Sequence, residues 1–225
     1  MTVQNKAYKY RAYPTKEQEL LFAKTFGCVR YIYNQMLADK IAHYQQTKEM
    51  LQTTPAQYKA DAPWLREVDS LALANAQLNL QTAYKNFFSN PKAGFPQFKS
   101  KKHSKQSYTT NNQKGSIRLD GNRVRLPKVG FVKLALHRQI LADQQIKSVT
   151  ISLEPTGKYY ISVLVEYEVD IPEPQLDPNK ALGLDYSSPH FYVDSEGNTA
   201  DMPHFYRNAE AKLPLIMGLG CFATC

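Results

Sequence analysis

The chain has 225 residues, 43% hydrophobic and 12% aromatic, with 15 tyrosines. That is enough apolar side chain for real cores and excludes a disordered polar chain. Its formal net charge of +8 and pI of about 9.2 favour an anionic partner. Three cysteines, a polar start at Met1–Lys9 and no apolar run near membrane-spanning length lead us to expect a soluble, cytoplasmic protein with no membrane partner.

The charge is uneven. Residues 1–112 carry 16 Lys/Arg against 7 Asp/Glu, residues 113–180 carry 10 against 8, and residues 181–225 carry 2 against 5. The first half is therefore the expected electrostatic footprint.

In chain order, Met1–Tyr13 alternates Tyr8, Tyr10 and Ala12 with Lys9 and Arg11, which predicts a strand. Thr15-Lys16-Glu17-Gln18 has the form of a capping box opening a helix. Phe22, Phe26, Val29, Tyr33 and Met36 give that helix a core face, leaving Lys24, Arg30, Tyr31, Asn34 and Lys40 elsewhere. Pro55 and Pro63 punctuate a connection, and a second helix is expected from about Ser70, striped by Leu73, Ala76, Leu80, Ala83 and Phe87. It should stop before Asn90-Pro91.

From Gly94 the run Phe95-Pro96-Gln97-Phe98-Lys99-Ser100-Lys101-Lys102 interleaves aromatic and basic residues, followed by a polar stretch through Asn112. A hairpin follows around Asp120-Gly121-Asn122. Ile117, Leu119, Val124 and Leu126 share one face, and Arg118, Arg123 and Arg125 the other. A strand at Phe131–Leu134 precedes a second hairpin of residues 149–153 and 159–165 around a Pro-Thr-Gly turn. Residues 170–180 are proline-rich and predict a linker. Ala181–Asp185 then reads as an apolar strand ending on a carboxylate, with a second strand at His190–Asp194.

The arginine face with Lys128 suits phosphate oxygens, although a solvated sheet surface has the same composition. Lys99, Lys101 and Lys102 lie among aromatics, the mix that stacks bases and neutralises backbone; Phe95 and Phe98 could equally be loop anchors. Arg30, Tyr31 and Asn34 occupy neighbouring helical turns and could face solvent alone. Asp185 is the chemical candidate, though a lone Asp at a strand end is commonly a turn or cap former. The five histidines show no ligand spacing, and Cys221 with Cys225 supplies two of the four ligands a structural zinc needs, so no zinc site is expected.

Several segments in order resemble the TnpB (OrfB) family, the insertion-sequence-encoded proteins labelled as transposases. They are Tyr10-Arg11-Ala12-Tyr13-Pro14-Thr15 with Gln18, Gly27–Asn34, Phe87-Phe88, Gly94–Lys99, Leu126-Pro127-Lys128, Gly183–Ser187 and Val193–Asn198. The resemblance runs from Lys9 to Lys212. It implies an α+β architecture with a β-barrel-like wedge domain (1–13 and 113–170) and an inserted α-helical recognition domain (14–112). A linker (171–180) and the first strands of an incomplete RNase H-like RuvC nuclease domain (181–225) would follow.

It further implies RNA-guided cutting of double-stranded DNA, with a guide RNA from the transposon end, as in the related type V CRISPR effectors. Lys9, Arg11, Arg30, Tyr31, Asn34, Lys99, Lys101, Lys102, Arg118, Arg123, Arg125 and Lys128 would bind nucleic acid. Asp185 would be the first of three carboxylates that hold Mg²⁺. No residues of this sequence match the other two carboxylates or the family's zinc ribbon. The expectation is a truncated nuclease that keeps binding and loses cleavage; the alternatives are a non-catalytic binding module or repressor, or an unrelated basic RNA-binding protein.

Overall fold

A computed structural model describes residues 2–90, 92–170, 181–186 and 190–210. The chain divides into two compact units, Met1–Ile171 and Pro172–Cys225.

The first unit opens with strand β1 (Thr2–Tyr13), whose alternation buries Tyr8, Tyr10 and Ala12. Helix α1 (Lys16–Thr47) starts on the expected capping box. The Gln18 amide N–H donates to Thr15 Oγ1 at 3.3 Å, and the Thr15 N–H donates to Gln18 Oε1 at 3.1 Å. All five residues of the expected core face are buried, joined by Ile32 and Leu37. The proline-punctuated connection holds two short 3-10 turns, Gln57–Lys59 and Pro63–Arg66. Helix α2 (Ser70–Ser89) is capped by Asp69, whose carboxylate accepts the Leu71 N–H at 3.1 Å. The same carboxylate accepts a hydrogen bond from the buried Thr110 hydroxyl.

Strands β2 (Gln106–Asn111), β3 (Arg118–Asp120), β4 (Arg123–Leu126), β5 (Gly130–Ala135), β6 (Gln145–Leu153) and β7 (Tyr159–Val169) complete an antiparallel sheet in the order β2-β6-β7-β1-β5-β4-β3. Both expected hairpins form. Their glycines, Gly121 (φ 52°) and Gly157 (φ 75°), take the left-handed backbone that the turns need. β2 corrects the sequence reading, which left residues 106–111 as a polar stretch of the helical segment; they pair along β6 instead.

β2 and β3 are the outermost strands of the sheet, yet only residues 112–117 separate them in the chain. The sheet is curled so that its two edges meet at Asn112. The Asn112 N–H donates to Lys147 O (2.7 Å) and its Nδ2 to Ile146 O (3.0 Å), on β6's side. Its Oδ1 accepts the Ile117 N–H (2.9 Å), on β3's side.

One continuous core joins this sheet to the helices. The Phe22 ring of α1 packs between Tyr108 (centroids 6.3 Å apart) and Tyr159 (5.7 Å), and Phe26 also meets Tyr108.

The second unit contains a three-stranded antiparallel sheet, β8 (Leu184–Asp185), β9 (His190–Asp194) and β10 (Thr199–Asp201), in the order β10-β9-β8. A short helix α3 (Phe205–Glu210) follows. None of its described residues is buried. The expected linker, residues 171–180, lies outside the described residues, as do residues 211–225.

Candidate nucleic-acid interface

The period-two pattern of each strand decides which charges share a face. Because Tyr8, Tyr10 and Ala12 point inward, Lys9, Arg11 and Tyr13 point outward on β1. Cross-strand pairing carries that outward face across the sheet: Tyr13 sits opposite Lys133, and Lys133 opposite Arg123. Phe131 sits opposite Arg125, and Arg125 opposite Arg118. On the other flank, Arg11 faces Tyr160, and Lys9 faces Ser162.

Five residues proposed from sequence, Lys9, Arg11, Arg118, Arg123 and Arg125, therefore belong to one surface. Sequence reasoning missed Tyr13, Phe131, Lys133 and Tyr160, which lie between them. Each aromatic there carries a cation. Arg11 lies over Tyr13 (5.1 Å to the ring centroid), Arg118 over Phe131 (5.9 Å) and Lys9 over Tyr160 (4.6 Å). Two carboxylates adjoin this surface: Asp120 opposite Arg123, and Glu154, 3.2 Å from Lys9 Nζ. Lys128 is exposed in the β4–β5 turn, in left-handed backbone (φ 64°).

A second basic feature is a cleft of about 200 Å³ bounded by α1, α2 and the segment leading into β2. Arg30, Lys99 and Lys105 line it together with Asn75 and Asn79, and no carboxylate is among its lining residues. Partial burial lowers the Lys99 pKa below the ordinary lysine value of 10.5, and the ammonium rests 4.1 Å from the Tyr33 ring centroid. An ammonium held this way gains most from an anion that repays its lost hydration.

Asn34 has a different task from the expected ligand contact. Its Oδ1 accepts the Lys99 N–H and its Nδ2 donates to Lys99 O, both at 2.8 Å. The amide is spent on fixing the lysine's backbone. Tyr31 likewise meets Trp64 edge-on, with centroids 4.9 Å apart, away from the cleft that Arg30 enters. Lys101 and Lys102 are exposed and line a separate recess with His103, Lys105 and the Glu154–Gly157 turn.

Asp185 ends β8 opposite Val193 and is exposed. Among the described residues no three His, Cys, Asp or Glu side chains gather to hold a metal ion. Nearby Asp194 is committed to its turn, accepting from the backbone N–H groups of Glu196 (2.9 Å) and Asn198 (2.7 Å) and from Asn198 Nδ2 (2.8 Å). The Asn198 side-chain bond leads the causes that hold its carboxyl below the ordinary aspartate value. Among the described residues, the acidic side chains around Asp185 do not by themselves fit a pair of Mg²⁺ ions. No helix among the described residues is long and apolar enough to cross a membrane.

Residues 1–49 match a family model described as a helix-turn-helix domain (HTH_OrfB_IS605). In this chain those residues form β1 and the unbroken helix α1. Two relatives bear the name "Putative RNA-guided DNA endonuclease". One, from Streptomyces pristinaespiralis, is 29% identical over 218 residues (92% of this chain, 52% of the relative). The other, InsQ of Escherichia coli (strain K12), is 26% identical over 215 residues (92% and 51%). The chain thus spans about half the length of these curated relatives.

Virulence protein VsdF of Salmonella dublin is 37% identical over 118 residues, 44% of this chain and 96% of its own length. Among solved structures, a chain in the cryo-EM structure of a Cas12f1–sgRNA–target DNA complex matches in fold. Its TM-score is 0.50 at 11% identity, over 96% of this chain and 70% of that one. The strand and helix that carry the OrfB family model also anchor the sheet and core of the first unit, and the similarity to the two endonuclease-named relatives runs through nearly the whole chain: it belongs to the TnpB (OrfB) family.

Proposed function

We propose that this chain is the guide-RNA- and DNA-holding portion of a TnpB-type RNA-guided DNA endonuclease, and that its 225 residues alone bind nucleic acid without cutting it. One observation carries the reading. Lys9, Arg11, Arg118, Arg123, Arg125 and Lys133 share one outward sheet face, and Arg30, Lys99 and Lys105 line a cleft that has no carboxylate among its lining residues. Clustered cations of one sign are what a polyanion repays, through released counterions and charge-assisted bonds to phosphate.

On this reading the curled sheet is the wedge, α1 with α2 is the recognition element, and β8–β10 begin a RuvC-type nuclease fold with Asp185 as its first carboxylate. The relatives' names and the transposon setting of the family suggest a guide RNA from the element's own end, and double-stranded DNA as target. Cutting needs more acidic ligands than Asp185. The resemblance supplies no second matching carboxylate in these residues, which favours binding as the retained activity.

The test mixes the purified chain with transposon-end RNA and a matching duplex in Mg²⁺. We expect binding whose affinity falls steeply with salt, and no cleavage. Guided cleavage that is abolished by Asp185→Ala would overturn the claim that the chain does not cut. Absence of any RNA or DNA binding at low salt would overturn the whole reading.

A further inference from the structure

We propose that the outward face of the curled sheet is a stacking platform for an unpaired RNA strand. This rests on the reading above that the first unit holds RNA, and it specifies which form of RNA and by which contacts.

A surface built only to neutralise phosphates needs cations. This one also leaves Tyr13 47% and Phe131 39% exposed between them. Tyr13 faces Lys133, and Phe131 is the next outward residue along β5 from that lysine, so the two rings are diagonal neighbours, about 7–8 Å apart at the backbone. Consecutive bases of an extended strand can each reach one ring, with the linking phosphate over Lys133, Arg123 or Arg125. A duplex offers no free base faces to such rings; an unpaired strand does.

Cations rest against the rings of Tyr13, Phe131 and Tyr160. Swung aside, a guanidinium can close on the far side of a stacked base, giving each base a ring below and a planar cation above. The same face continues from Lys9 through Ser162, Thr150 and Thr109, paired in that order across β7, β6 and β2. The Thr109 and Thr150 hydroxyl oxygens lie 2.8 Å apart. A row of hydroxyl donors and acceptors beside the stacking rings matches the ribose 2′-hydroxyl, which selects RNA over DNA.

The experiment measures binding of the full chain to an unstructured RNA of about a dozen nucleotides, the DNA of the same sequence, and an RNA duplex of equal length, each over a salt series. We expect the RNA strand to bind at least ten-fold tighter than either competitor. Tyr13→Ala with Phe131→Ala should weaken it by at least about twenty-fold without changing the salt slope, since base–aromatic stacking gives roughly five- to hundred-fold per ring. Tyr13→Phe should keep wild-type affinity, because stacking uses the ring and not the hydroxyl. Arg123→Gln with Arg125→Gln should instead lower the log–log salt slope by about 1.4, the value for two single-strand phosphates. Both substituted sets are exposed, and circular dichroism confirms that each variant is folded.

If the arginine pair weakens binding and the aromatic pair does not, the face binds phosphate only, and stacking is refuted while the proposed function stands. Equal binding of RNA and DNA strands refutes the 2′-hydroxyl reading, and tighter duplex binding refutes the platform. If neither pair matters although RNA binds, the site lies elsewhere. A wild-type chain that binds no RNA sinks both this inference and the function it rests on.

Discussion

Asn34 reaches 65 residues along the chain to bond both the backbone N–H and the backbone carbonyl of Lys99. Replacing it with Ala leaves two partly buried backbone groups without partners, which costs about 1–3 kcal/mol each where water cannot replace the bond. Asn34→Ala should therefore lower the urea midpoint and weaken RNA binding together, and Asn34→Asp should rescue only the half that accepts the Lys99 N–H.

Cys28 makes a separate prediction at this scale. Burial raises its thiol pKa from 9.0 to about 11, with nearby Glu67 adding to the rise. A raised folded value means stability that is whole below pH 9 and drains away as pH climbs from 9 to 11, because only the unfolded chain ionises readily there. A Cys28→Ala variant should lose less stability than wild type over that interval, and peptide mapping at pH 8 should find Cys28 unlabelled by thiol reagents until the chain unfolds. The arginines at 118, 123 and 125 were legible from sequence because a strand's period is two and the turn between them is marked by Gly121. The role of Asn34 was not, since nothing local distinguishes an amide that bonds a distant backbone from one that faces a ligand.

At the scale of elements, helix α1 was legible from Thr15 onward because a capping box and a core stripe agree with each other. Gln18 also does something no window could reveal: its Nε2 donates to Phe131 O at 2.8 Å, joining the helix start to β5. β2 was missed for a physical reason. It is an edge strand, Gln-Ser-Tyr-Thr-Thr-Asn, so only Tyr108 and Thr110 are buried and the apolar alternation is nearly silent. Its neighbour Asn112 links the sheet's two edges with three hydrogen bonds, two of them from its side chain. Asn112→Ala should destabilise the first unit by about 1–3 kcal/mol. Hydrogen exchange should quicken first at Ile117, whose N–H loses its acceptor, while amides in the middle of β7 stay protected. Uniform acceleration across the sheet would contradict this account.

At the scale of the molecule, the buried core of the described residues falls within residues 8–165, inside the first unit. A fragment ending at Ile171 should keep the thermal midpoint of the main cooperative transition to within a few degrees; a collapse of that transition would mean the second unit supports the first. The order in which the chain is made adds a last consequence. β1 is synthesised first but lies in the middle of the sheet, hydrogen-bonded on one side to β5 and on the other to β7, whose last residue is Val169. At translation rates of roughly 5–20 residues per second, the strand waits on the order of ten to thirty seconds for its second partner. The local contacts of α1 with α2 are available in the meantime. A nascent chain of this protein thus carries an unpaired, tyrosine-rich strand on the ribosome for most of its synthesis, an exposure that Lys6, Lys9 and Arg11 along the same strand are placed to keep soluble.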